Sequence, residues 1–263
     1  TATILTLQPA VLNTTMEPDA GYCDLASAVL AANPNDVLQL QANITIPTTV
    51  SINKSLTLDL NGKVATYSPT ENTFALNVDG ATTTLTVIDG ITPSTGKILV
   101  VDGDTDGATD GRGIEVTNGG TLLFNSGTIE APYAGVYLME NAKMTLNGGT
   151  VDSFYGVVTR KPGASLTVTT GTITADGFAI SGNGSTGQAP TTIIINGGTI
   201  TSTSTAIYHP QDGTLTINGG TISGSTGIEM KAGNLAVSGG TILGTGTFAD
   251  PLPNDNGSAN TGD

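Results

Sequence analysis

Asp102, Asp104 and Asp106 alternate in Asp102-Gly103-Asp104-Thr105-Asp106-Gly107-Ala108-Thr109-Asp110, and Asp110 stands at the ninth position of the same run. Alternating carboxylates converge on one hard cation while Gly107 permits the sharp turn, which is the first half of a calcium loop. The twelfth position is Gly113 and not Glu. The bidentate ligand must therefore come from elsewhere, and Glu115 is the nearest carboxylate. Two readings stand: a structural Ca2+ held by Asp102, Asp104, Asp106 and Asp110, or a plain acidic insertion.

A second set of chemical groups is a carboxylate pair. Glu130 and Asp152 occupy equivalent positions of adjacent repeats, which would bring them about 5 Å apart on neighbouring strands. Glycoside cleavage needs two carboxyl groups about 5–10 Å apart, so these are the candidate catalytic residues. Solvated surface charges are the plainer reading. No aromatic or basic residue accompanies them in the sequence. The single histidine, His209, lies between Tyr208 and Pro210 near a strand end, where a hydrogen-bonded structural role fits best.

A third set is aromatic. The outward positions of one recurring strand are expected to read Glu115, Tyr137, Val158, Ala179, Tyr208 and Glu229. Tyr133 and Tyr155 fall in the neighbouring turns, and Arg160 and Lys231 follow the same strands. Flat rings with charged neighbours suit sugar binding. Tyr137, Tyr155, Arg160, Tyr208 and Glu229 are thus the candidate ligand-binding residues.

The elements that position these groups follow from a repeat. Gly-Thr-apolar triplets begin at Gly127, Gly149, Gly171, Gly198, Gly220 and Gly240, at intervals of 22, 22, 27, 22 and 20 residues. A period near 22 with short β-type runs is the signature of a β-solenoid. Three positions before each triplet Gly stand Phe124, Leu146, Val168, Ile195, Ile217 and Val237; five before it stand Leu122, Met144, Leu166, Ile193, Leu215 and Leu235. Two-residue spacing puts both columns on one inward face. The apolar residue of the triplet forms a third column, and a further run such as Val136-Tyr137-Leu138 completes three short strands per coil. Gly at each corner permits positive φ, and Asn147, Asn196 and Asn218 before it could stack in a hydrogen-bonded ladder.

Less regular repeats extend upstream through Leu85-Thr86-Val87 and Leu56-Thr57-Leu58-Asp59-Leu60-Asn61-Gly62 to Val37. The expected organisation is a single all-β right-handed parallel β-helix of roughly nine coils over residues 36–247. An N-terminal segment over 1–35 precedes it and a polar, Pro/Gly-rich tail over 248–263 follows. Leu25, Ala28, Val29 and Ala32 share one face of an amphipathic helix over about 24–33, with Asp24 at its start and Pro34 beyond its end. This helix is expected to cap the exposed end of the solenoid. The tail reads as a linker or an unfinished coil of a longer protein.

Composition narrows the function. Eight basic residues against 22 acidic ones give a net charge of −14, which repels phosphate backbones and anionic membranes and argues against nucleic-acid binding. One cysteine, Cys23, excludes an intrachain disulfide framework. No apolar run approaches the length of a membrane span.

The helix, Asn35-Asp36-Val37-Leu38-Gln39-Leu40, the corner Asp59-Leu60-Asn61-Gly62 and the serial Asn-Gly-Gly-Thr-Ile turns resemble the pectin-lyase-like, right-handed β-helix repeat regions of Gram-positive bacterial cell-surface proteins. The resemblance spans roughly residues 22–247. It implies secretion, attachment to the cell surface and partners among host or plant glycans or extracellular proteins. Enzymes of this fold carry clustered Asp with Gly-His-Gly and Arg-x-Lys, or calcium ligands with an Arg base. Here His209 lacks flanking glycines, and Arg160-Lys161-Pro162 lacks the Arg-x-Lys spacing. The leading expectation is a non-catalytic adhesin or stalk module. A polysaccharide lyase or glycoside hydrolase is the alternative. Ice binding, from a short grid formed by Thr172/Thr174, Thr199/Thr201 and Thr221/Ser223, and a phage tailspike are minor ones.

Overall fold

The computed structural model describes residues 8–104, 111–182 and 190–246. The chain is almost all β, and its strands pair with their equivalents one repeat away in parallel sheets. The first sheet runs from Val37–Leu40 through Leu56–Asp59, Thr84–Ile88, Thr121–Phe124, Lys143–Leu146, Ser165–Val168, Thr191–Ile195 and Gly213–Ile217 to Asn234–Val237. Its register aligns Phe124, Leu146, Val168, Ile195, Ile217 and Val237 in one row. The first five are fully buried, as the two-residue spacing predicts. Val237 is 52% exposed, because no described strand lies beyond it.

The second sheet carries two ladders. One joins the triplet strands, and its Thr128, Thr150, Thr172, Thr199, Thr221 and Thr241 stack in register. The other joins Val50–Ile52, Phe74–Asp79 and Arg112–Thr117 to the later parts of Thr128–Leu138 and Thr150–Thr159, then continues through Phe178–Gly182, Thr205–His209 and Thr226–Met230. In the two central repeats the expected second and third strands are one continuous strand of 11 and 10 residues. Tyr133 and Tyr155 therefore lie within strands and not in turns. Small Val, Ile, Leu and Ala side chains from both sheets share one core, running from Val11 to Ile222.

The corner glycines hold positive φ at Gly127, Gly149, Gly171, Gly198, Gly220 and Gly240, between 74° and 93°. This is the left-handed region that a side chain disfavours. The Asn ladder forms in two pieces: Asn147 Nδ2 donates to Asn125 Oδ1 at 3.0 Å, and Asn218 Nδ2 to Asn196 Oδ1 at 2.8 Å. Between them Thr170 Oγ1 donates to the Asn147 carbonyl.

The helix occupies Leu25–Ala31, with Asp24 accepting from the Ser27 N–H at 2.7 Å, and it buries Leu25, Ala28 and Val29. The sequence pattern gives no sign of the hairpin that accompanies it. Val11–Asn13 pairs antiparallel with both Ala20–Tyr22 and Val37–Leu40, adding two strands to the open edge of the first sheet. Lys54 Nζ donates to the Leu30 and Ala32 carbonyls at the helix C-terminus. Among the described residues no helix is long and apolar enough to cross a membrane.

Candidate functional site

Seven of the chain's eleven aromatic residues gather on one stretch of the second sheet: Phe74, Tyr133, Tyr137, Phe154, Tyr155, Phe178 and Tyr208. The register explains how. One outward column reads Glu115, Tyr137, Val158, Ser181, Tyr208, Glu229. Ser181 stands where Ala179 was expected. The register pairs Val158 with Ser181, and Ala179 is fully buried. The expectation failed because the third-strand phase depends on corner length: the pairing offset is 22 residues at Ser153–Ala175 and 23 at Val157–Ile180, so the corner between them takes up one more residue.

That substitution shapes the surface. Two small residues, Val158 and Ser181, lie between Tyr137 and Tyr208, which stand three strand steps apart, roughly 14 Å. The gap is a groove of about 220 Å³. Tyr133, Tyr155 and Phe178 line it from the adjoining column, and Arg160 and Gly182 line its third side. Ring contacts knit this lining together. Tyr155 meets Tyr133 edge-on at 5.3 Å and Phe178 at 5.9 Å, and Phe178 stacks on Tyr208 at 5.0 Å with planes 18° apart.

Arg112 anchors the far end. Its guanidinium lies 4.8–5.2 Å from the ring centres of Phe74, Tyr133 and Tyr137, and Nη1 donates to the Asn72 carbonyl at 3.2 Å. Arg160 approaches Tyr137 from the other side at 5.9 Å. Burial pushes the Tyr137 phenol up to about 12, against the pull of Arg112, with Tyr133 adding to the rise. Burial and Tyr133 also raise Tyr155. Both phenols are neutral donors near neutral pH. Burial likewise raises Glu115, opposed by Arg112 and reinforced by Asp79 and Glu140.

Of the five expected ligand residues, Tyr137, Tyr155, Arg160 and Tyr208 line the groove. Glu229 does not: it lies one strand beyond Tyr208 and pairs with Lys231 at 2.7 Å. The expectation missed Phe178 and Arg112. Phe178 could have been found from its 23-residue offset from Tyr155, and Arg112 from the Phe74–Arg112–Ala134 register, which the irregular insertion hides.

Glu130 and Asp152 are register partners on an outward face. The sequence suggested no basic neighbour, but Lys97 Nζ lies 2.7 Å from Glu130 Oε2. The 33-residue separation concealed this pair. Burial, Glu130 and Asp176 raise Asp152, and Lys97 opposes them. His209 is buried on the inward face. Its Nδ1 lies 3.2 Å from the Ala232 carbonyl, and burial lowers its pKa, so the ring stays neutral.

Of the expected calcium ligands, Asp106 and Asp110 lie outside the described residues. The Asp104 N–H donates to Asp102 Oδ1 at 3.4 Å. Among the described residues no three His, Cys, Asp or Glu side chains converge as a metal site.

Buried carboxylates also organise the upstream corners, a role the sequence did not reveal. Asp89 accepts from the Gly62, Thr95 and Gly96 N–H groups and from Ser94 Oγ at 2.6–2.7 Å. Asp59 Oδ1 accepts from the Asn61 and Gly90 N–H groups, and Gln39 Nε2 donates to Asp59 Oδ2.

No protein-family model, no curated protein and no solved structure matches this chain.

Proposed function

We propose that this chain is a non-catalytic, extracellular β-helix module of a bacterial cell surface that binds glycans through the aromatic groove. In this reading the parallel sheets close into a right-handed solenoid of roughly nine coils. The inward columns carry the fold, and the outward face around Val158 and Ser181 carries recognition. The observation that supports it most is that five of the eleven aromatic residues line one groove, with Phe74 and Phe154 in ring contact with that lining, on a chain that has no Trp. Aromatic faces pack against the apolar faces of sugar rings, and phenol and guanidinium groups orient the hydroxyls. A glycan array probed with the 263-residue chain tests the reading. Binding that is lost in Tyr155→Ala and Tyr208→Ala supports it, and an array with no bound glycan overturns it.

Polysaccharide cleavage is kept as a second reading on one observation. Asp152 is the register partner of Glu130, and burial and the Glu130 charge raise its carboxyl from the ordinary value, the direction a general acid beside a second carboxylate needs. Release of reducing ends from plant or bacterial polysaccharides, abolished by Asp152→Asn, would establish it. No release from any of them removes it.

A further inference from the structure

Both arginines of the chain lie on the aromatic face. Arg112 and Arg160 are the only two, in a molecule with net charge −14. Their settings differ. Arg112 is packed among Phe74, Tyr133 and Tyr137, so its planar group serves as a spacer between rings. Arg160 lines the groove, and among the described residues its guanidinium has no ion-pair partner and no hydrogen-bond acceptor. The nearby basic residue Lys161 is already paired, at 3.9 Å, with Glu140. Segment 183–189, which follows Gly182, contains no carboxylate in its sequence. A half-buried guanidinium with open donors beside neutral phenols and flat rings is a site for an anion carried on an apolar-faced ring. Guanidinium matches carboxylate geometry with two parallel hydrogen bonds.

The size of the groove limits what fits. At about 220 Å³ it falls below the roughly 300–1,000 Å³ typical of sites that enclose larger ligands. Tyr137 closes one end of the gap in the outward column and Tyr208 the other. The space between the two tyrosines accommodates one sugar ring.

We infer that the groove recognises a single terminal sugar ring bearing a carboxylate. Arg160 binds the carboxylate, Phe178 and Tyr208 support the ring face, and Ser181 offers a hydroxyl to the ring substituents. This rests on the glycan-binding reading above and narrows it to one chemical class. Two sources share that chemistry, uronic acids and nine-carbon keto-acid sugars.

The test is an NMR titration of the 263-residue chain with matched probes: methyl β-D-glucuronide against methyl β-D-glucoside, and the methyl glycoside of N-acetylneuraminic acid against its carboxamide. At least one acid should bind tenfold or more tighter than its neutral partner. That preference should vanish in Arg160→Gln and partly return in Arg160→Lys, with spectral dispersion unchanged in both. The pair showing the preference identifies the source. Equal binding of acid and neutral forms, or a preference that survives Arg160→Gln, overturns the inference and leaves glycan binding standing. A hexameric uronide binding more than tenfold tighter than the monomer overturns the single-ring assignment alone. Absence of binding by all four probes, with neutral glycans still captured on the array, overturns the acid inference. Silence in both assays overturns the parent reading as well.

Discussion

Phe178 and Tyr208 stack with ring centres 5.0 Å apart although they come from different outward columns of adjacent strands. The contact is diagonal, and small Ser181 makes it possible by leaving space beside Tyr208 in its own column. Tyr208 is thereby held as one end of the groove and not left free to sweep across it.

Replacing Tyr208 with Ala should weaken sugar binding about tenfold, or about 1.4 kcal/mol. The folded state should lose only the ring-pair contribution, about 0.5–1.5 kcal/mol. Titration calorimetry and urea denaturation separate the two effects. A large stability loss with unchanged affinity would make the ring structural.

Arg112 should be worth more to the fold than to the ligand. Three rings contact its guanidinium, and each cation–ring contact contributes about 0.5–2 kcal/mol according to desolvation. Arg112→Ala is expected to cost about 1–3 kcal/mol in urea unfolding. Arg112→Lys should recover little, because a tetrahedral ammonium cannot sit flat among the rings.

The corner built on Asp89 predicts an acid-sensitive element. Burial alone would raise this carboxyl, but hydrogen bonds from Gly96, Ser94, Gly62 and Thr95 outweigh burial and hold it below its ordinary 3.8. A group depressed in the folded state stabilises above its unfolded pKa and loses that effect as pH falls through the folded value. Asp89→Asn should therefore cost about 1–3 kcal/mol at neutral pH. The gap between parent and variant should close as the pH drops below 3.8. A gap that is constant from pH 7 to acid, measured by denaturant midpoints, would show that charge plays no part.

Gly220 offers a test of the repeat. Its φ is +88°, and an added Cβ would meet the Gly197 carbonyl carbon and oxygen at 2.9 Å. Gly220→Ala should cost about 1–3 kcal/mol through backbone strain, measured by thermal unfolding. Gly-to-Ala at an unstrained site would instead be neutral or stabilising.

The inward columns were legible because burial constrains them at every repeat: Phe124 through Ile217 are apolar at a fixed offset from a glycine whose φ the corner demands. The helix was legible from its face and from Asp24. The groove was legible only in part. Tyr137 and Tyr208 show in the periodic pattern and Tyr155 beside it, but the Val158–Ser181 register depends on how many residues each corner consumes, and no local pattern encodes that. Lys97 with Glu130, Arg112 with Phe74, and Asp89 with Gly62 are 33, 38 and 27 residues apart and join through irregular insertions. The hairpin Val11–Asn13 and Ala20–Tyr22 escaped notice because three-residue strands carry too little alternation to be seen.

The gap at Val158 and Ser181 has an evolutionary consequence. Core residues such as Val157 and Ile180 and groove residues such as Val158 and Ser181 are neighbours on the same strands, so under the glycan-binding proposal the two sets could change on separate clocks. Enlarging either small side chain would fill the groove, and shrinking Tyr137 or Tyr208 would lengthen it, while the aliphatic interior stays as it is. If the groove binds as proposed, a few codon changes there would alter what it accepts without touching the aliphatic core.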